Sequence, residues 1–216
     1  MNNRYDNRRE AGRRLAQRLD DYRDEDVVVV GLARGGIPVA SEVTRQLRAP
    51  LDVIVVRKLG APGREELAMG AVAPDGVRVL NDSVIAAVNA TDDQIAEVQT
   101  RETDELERRI EAYRGERERV PLEGRTVILV DDGLATGASM RAAVEYARSK
   151  GPARIVIGVP TGSDQTCESL AREVDELICP YQPHPFFGVS QAYRHFPQTT
   201  DDEVQRLLAE GPRQHA

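Results

Sequence analysis

The 216-residue sequence has little of several things, and each scarcity removes a class of function. Cysteine occurs twice, at Cys167 and Cys179, at a spacing that matches neither a metal-binding nor a redox motif. Reduced thiols in a cytosolic protein are therefore the expectation, in preference to a structural disulfide. No apolar run approaches a membrane span, and no signal-like apolar segment follows the basic stretch MNNRYDNRREAGRRLAQRLDDY. Export and membrane insertion are not expected. Positive charge is not in excess either: the net charge is -7, acids and bases interleave, and no broad cationic face is available to a nucleic-acid backbone. Any phosphate must be held locally. His184 and His195 have no third ligand at a recognisable spacing, which argues against a metal site built on them.

What is present reads as an α/β fold. Val27 to Val30, Val53 to Val56, Val127 to Val130 and Ile155 to Ile157 are short, apolar and rich in β-branched residues, the pattern of strands buried on both faces. The first, third and fourth each lead through a glycine-containing turn into a helical pattern, over Ile37 to Leu47, Ser139 to Ser149 and Ser163 to Val174. That alternation predicts a central, mainly parallel sheet flanked by helices. At the N-terminus Ala11, Leu15, Leu19 and Tyr22 recur at helical spacing, so Arg4, Arg8, Arg9, Arg13 and Arg14 are read as the solvated face of an amphipathic helix.

One domain over residues 1–216 is expected, with an insertion at 58–125. The segment KLGAPGREELAMGAVAPDG lacks periodicity and reads as a mobile loop leading into a small hairpin through Ala71 to Ala73 and Val77 to Leu80. A helix follows, started by a capping box between Thr91 and Gln94. Its thin stripe of Ile95, Val98, Leu106, Ile110 and Tyr113 suits packing over the domain edge or against another subunit, which leaves room for a homodimer. Five of the nine aromatic residues fall between Tyr181 and Phe196, in a piece (180–216) that ends in a short helix capped by Thr200.

The most informative string is VILVDDGLATGAS. A buried strand delivers Asp131 and Asp132 to its carboxyl end, where open α/β sheets bind ligands. Gly133, Leu134, Ala135, Thr136, Gly137, Ala138 and Ser139 then supply turn-permitting glycines, hydroxyl donors and a helix start, the components of a monophosphate cradle. No lysine follows the last glycine, so it is not a Walker loop. The string resembles the signature by which type I phosphoribosyltransferases bind phosphoribosyl pyrophosphate (PRPP). The resemblance implies that Asp131 and Asp132 lie against the ribose hydroxyls and help organise Mg2+, and that residues 133–139 hold the 5-phosphate. After the first strand, Ala33, Arg34, Gly35 and Gly36 stand where the family binds pyrophosphate through backbone amides. Arg57 and Lys58, read as the end of the second strand, would face pyrophosphate, and the following loop, with Arg64, Glu65 and Glu66, would close over PRPP.

For the acceptor, the resemblance implies a nucleobase or another small nitrogen compound, in an activity of the nucleotide-salvage kind. Hypoxanthine-guanine enzymes carry an aspartate where Ala135 stands; DDGLATGASM is nearer the loop of adenine phosphoribosyltransferases, whose glutamate suggests Glu65 or Glu66 as acid or base. Phe186 and Phe187 are the expected hood over a flat base, with a small satellite core as the competing reading of those rings. Two other functions stay open: a PRPP-binding regulator without turnover, and a biosynthetic subunit that docks through its long helix.

Overall fold

The computed structural model describes residues 4–115 and 117–211; positions 1–3, 116 and 212–216, which fall within the N-terminal, inserted and C-terminal pieces read above, lie outside the described residues. The chain opens with helix α1 (Arg8–Arg18), then strand β1 (Val27–Ala33), helix α2 (Gly36–Leu47) and strand β2 (Leu51–Val55). Next come strands β3 (Arg57–Ala61), β4 (Arg64–Val72) and β5 (Arg78–Leu80), and helices α3 (Asp82–Val88) and α4 (Asp92–Arg114). Strand β6 (Thr126–Val130), helix α5 (Ala138–Arg148), strand β7 (Arg154–Gly158), helix α6 (Asp164–Ala171), strand β8 (Glu176–Ile178) and helix α7 (Asp201–Glu210) complete the order.

Five strands form a parallel sheet in the order β2-β1-β6-β7-β8. Alternation along each strand sends side chains to both faces. Val29, Ile128 and Val156 pack with Leu15, Val43 and Leu207, while Val28, Leu129 and Ile157 pack on the other face with Ala143, Val144 and Leu170. Apolar layers on both sides explain why the strands read as unbroken apolar runs. From β1 the chain winds outward to β2, then returns to place β6 on the opposite side of β1. The order reverses there, and the crevice at the carboxyl ends of β1 and β6 is where this topology holds ligands.

The insertion differs from its expected form. The stretch read as a mobile loop is a β ribbon: β3, β4 and β5 form an antiparallel sheet, with Ala61 opposite Arg64 across a Pro62-Gly63 turn. Gly63 has φ +70, the conformation that a proline-glycine turn asks of its glycine. The charges on β4 and the register shifts around Gly60 break the alternation that would have betrayed these strands. Arg57 and Lys58 consequently belong to the start of the ribbon, not to the end of β2.

Helix α4 has the expected capping box, and its apolar stripe is spent on its own chain. Val98, Leu106 and Tyr113 enter the main core, and Ile95 packs with Ala61 and Met69. Helix α3 and strand β8, both short, had no counterpart in the sequence reading. Among the described residues no helix is long and apolar enough to cross a membrane, and Cys167 and Cys179 are free thiols.

Candidate active site

Two turns meet in the crevice. One carries Asp131 and Asp132 off β6; the other carries Arg34, Gly35 and Gly36 off β1, with the Ala33–Arg34 peptide in cis. They press together so closely that side chains on the glycines have no room. A Cβ on Gly35 would lie 2.1 Å from Asp132 Oδ2, and one on Gly36 would lie 2.5 Å from the Val130 carbonyl and 2.9 Å from Asp131 Cα. The glycines are therefore needed to bring the acids and the turn after β1 into contact, beyond any service to a ligand.

Each acid spends one oxygen internally. Asp131 Oδ1 accepts from the Asp132 backbone N–H at 2.8 Å, and Asp132 Oδ2 accepts from Arg8 Nε at 2.8 Å. Asp131 Oδ2 and Asp132 Oδ1 are the oxygens left for other partners. Burial raises the pKa of both carboxyls; for Asp131 the neighbouring Asp132 adds to the rise, and for Asp132 the Arg8 charge opposes it. Lys58 is close enough that its charge also favours the ionised acids. A pair of carboxylates with one uncommitted oxygen each suits a hard divalent cation whose coordination is completed by substrate phosphates. Among the described residues no cluster of three or more acidic, histidine or cysteine side chains could hold a metal unaided.

The phosphate loop is pinned from outside. Leu134 N donates to the Thr161 carbonyl at 2.9 Å, and the carbonyls of Leu134, Ala135 and Thr136 accept from Ser163 N, Thr166 Oγ1 and Arg141 Nη1. Gly133 lies against Val189, and Gly137, at φ +77, turns the chain into α5. With the carbonyls of Leu134 and Ala135 engaged at the start of α6 and that of Thr136 by Arg141 of α5, Ala138 and Ser139 begin a helix whose first N–H groups have no acceptor within it. Such an end is electrostatically suited to an anion.

Arg34 and Arg57 are tethered by carboxylates. Arg34 Nη1 lies 3.3 Å from Asp201 Oδ1 at the start of α7, and the same oxygen accepts from the Tyr113 hydroxyl at 2.5 Å. Arg57 donates from Nε and Nη2 to Glu102 Oε2 on α4, at 2.9 and 2.6 Å. Lys58 is exposed, as are Arg64, Glu65 and Glu66 at the ribbon tip, and among the described residues none of these four makes an ion pair. A cavity of about 430 Å3 separates ribbon from phosphate loop, with Lys58 and Glu66 on one wall and Thr136 and Ala138 on the other.

In the C-terminal piece Phe187 is 85% exposed and Phe186 half-buried. Tyr5, Tyr181, Tyr193 and Phe196 instead gather into a small separate core. Two of these reach the site. The Tyr193 hydroxyl donates to the Asp132 carbonyl at 2.6 Å, and the Phe196 ring lies under the Arg8 guanidinium, 3.8 Å from centroid to Cζ. Arg8 is the site residue that the sequence reading missed; nothing in a run of arginines distinguishes the one that turns inward.

Comparison with known proteins identifies the family. A model of the phosphoribosyl transferase domain matches residues 3–189. Two Mycobacterium tuberculosis proteins, MT0597 and Rv0571c, each provisionally named a phosphoribosyl transferase, are 48% identical over 212 residues, which is 98% of this chain and 48% of theirs. This chain thus spans about half the length of those relatives. The crystal structure of TT1426 from Thermus thermophilus superimposes with a TM-score of 0.81 at 41% identity, covering 96% of this chain and 99% of that one. With that model matching most of its length, the chain belongs to the phosphoribosyl transferase domain family.

Proposed function

We propose that the protein, working as one unit over residues 1–216, binds PRPP across the two turns and transfers its phosphoribosyl group to a nucleobase or related nitrogen acceptor, releasing pyrophosphate. The observation that carries this reading is the jammed contact between Gly35-Gly36 and Asp131-Asp132, which joins a sugar-binding acid pair to an anion-binding turn. Residues 133–139 hold the 5-phosphate through amides and hydroxyls. Asp131 and Asp132 clasp the ribose hydroxyls. As the bond from C1 to pyrophosphate breaks, positive charge develops on the ribose ring, and the same two carboxylates stabilise it electrostatically.

On the leaving-group side, the amides of the turn from Ala33 to Gly36, with Arg34, Arg57 and Lys58, face the pyrophosphate. Arg34 and Arg57 reach it by exchanging the carboxylates of Asp201 and Glu102 for phosphate oxygens. Mg2+, held by Asp131 and Asp132 together with PRPP, would neutralise charge on the leaving group. The ribbon tip closes over the substrate, bringing Arg64 to the phosphates and Glu65 or Glu66 to the acceptor as acid or base. Phe186 and Phe187 cover a flat acceptor, and Val189 beside Gly133 ties their loop to the phosphate loop.

Incubation with PRPP, Mg2+ and a panel of purines, pyrimidines and small amines tests the reading, with pyrophosphate release followed. Turnover with at least one acceptor is expected. Saturable PRPP binding without release for any acceptor would instead make the protein a PRPP-binding regulator.

A further inference from the structure

Arg8 is held more firmly than a surface arginine needs to be. Asn7 caps α1 by accepting from Glu10 N at 3.0 Å, which fixes the backbone where Arg8 begins the helix. Just before it, the chain is bonded to the C-terminal piece: Tyr5 N donates to the Ala192 carbonyl at 2.8 Å, Arg194 N to the Tyr5 carbonyl at 2.8 Å, and His195 N to the Asp6 carbonyl at 3.0 Å. The guanidinium then has three restraints, namely Asp132 Oδ2, the Pro197 carbonyl at 2.5 Å from Nη1, and the Phe196 ring. Its side chain is 11% exposed and that of Asp132 is 15%. By contrast Arg13 and Arg14, on the same helix, lie in solvent.

The consequence falls on Asp132. A carboxylate that rotates freely presents either oxygen to a ligand. With Oδ2 fixed between Arg8 Nε and the Gly35 backbone, only Oδ1 remains, pointing in one direction. Tyr193 adds a second restraint by donating to the carbonyl of the same residue. A buried hydrogen bond to a charged group is among the stronger restraints a side chain can have.

We propose that Arg8 is a positioning residue of the sugar site: it orients Asp132 so that Oδ1 accepts from a ribose hydroxyl, and thereby sets the preference for a hydroxylated sugar phosphate. This rests on the PRPP reading above and assigns the N-terminal helix a part in it. Arg8 does not touch the reacting atoms.

The test compares three ligands by calorimetric titration of the whole protein: PRPP with Mg2+, ribose 5-phosphate, and 2,3-dideoxyribose 5-phosphate, which lacks both hydroxyls. Arg8→Gln is expected to weaken the two hydroxylated ligands by about tenfold or more, the size of one lost charge-assisted hydrogen bond, and the dideoxy sugar by less than about twofold. Arg8→Lys, which keeps the charge without the planar donor, is expected to fall between, and carries the same comparison should Arg8→Gln fold poorly. Equal weakening of all three ligands would reduce Arg8 to a structural strut and overturn the proposal. Unchanged binding overturns it as well, and so does tighter binding, which would make Arg8 a competitor of the ligand's own cation. If the wild-type protein binds no PRPP, the PRPP reading fails and takes this inference with it; if wild type binds and Arg8→Gln binds equally, only the inference fails.

Discussion

The phosphate loop and the β ribbon face each other across one cavity, yet they are built on opposite terms. The loop is determined by its neighbours: its carbonyls are engaged by α6 and its surroundings, its acids are wedged against Gly35 and Gly36, and Arg8 closes the remaining side. The ribbon tip is determined by almost nothing beyond its own turn. A Cβ on Gly63 would meet no atom within 4 Å, and Arg64, Glu65 and Glu66 are all exposed. On the proposed function, a closely held half would recognise the sugar phosphate and a loosely held half would complete the site afterwards, as binding followed by closure requires.

Substitutions that treat the two halves alike should therefore have unlike effects. The largest is expected for Asp131→Asn combined with Asp132→Asn, which should weaken PRPP binding by more than about a hundredfold, as two charge-assisted contacts are lost, while circular dichroism shows the fold intact. Retained binding would separate the acid pair from the sugar site. The single change Asp131→Asn has a pH signature as well. Burial raises this carboxyl above its unfolded value, so the stability its protonated form contributes is complete below the unfolded pKa and is lost as pH rises through the folded one. The variant's melting temperature should accordingly gain on wild type between acid and neutral pH; a gain running the other way would mean that the acid is stabilised as an anion.

Next in size is Gly35→Ala. Its methyl would collide with Asp132 Oδ2, so a loss of about 1–3 kcal/mol of stability is expected, and at least about tenfold in PRPP affinity, read by thermal melting and titration. Arg64→Ala should leave affinity for PRPP within about twofold and lower the rate of pyrophosphate release, because its contact forms only on closure. A large loss of ground-state affinity would place the ribbon among the rigid parts. The smallest change is expected for Gly63→Ala, where space is open and only the positive φ is unfavourable: about 1 kcal/mol of stability, with PRPP affinity unaltered. If Gly63→Ala matched Gly35→Ala, the contrast between the halves would not hold.

The same contrast explains what could be read without a structure. Val27 to Val30 and Val127 to Val130 announce themselves because burial on both faces demands unbroken apolar runs, and the turn after β6 is legible because the string from Asp131 to Ser139 resembles a known signature. Of the ribbon only the hairpin of β4 with β5 is legible, where Ala71 faces Val79; from Arg57 to Glu66 exposed strands tolerate charge and an irregular register hides the alternation. α4 could be drawn to within a residue from its capping box, but the sequence leaves open whether its stripe meets its own chain or another; Val98, Leu106 and Tyr113 in the core settle that. Arg8 and Asp132 stand 124 positions apart, and a single ion pair over that distance leaves no local pattern. The aromatic-rich tail announced a cluster of rings, but nothing local says that Tyr193 and Phe196 brace the site while Phe187 stands in solvent.

The clasp between residues 5–8 and 192–197 ties together segments that stand more than 180 positions apart. In a growing chain Arg8 has neither ring nor carbonyl to rest on until Phe196 and Pro197 have been added, long after Asp132. On the roles proposed above, such a chain holds the loop meant for the phosphate before it holds all the residues that orient Asp132.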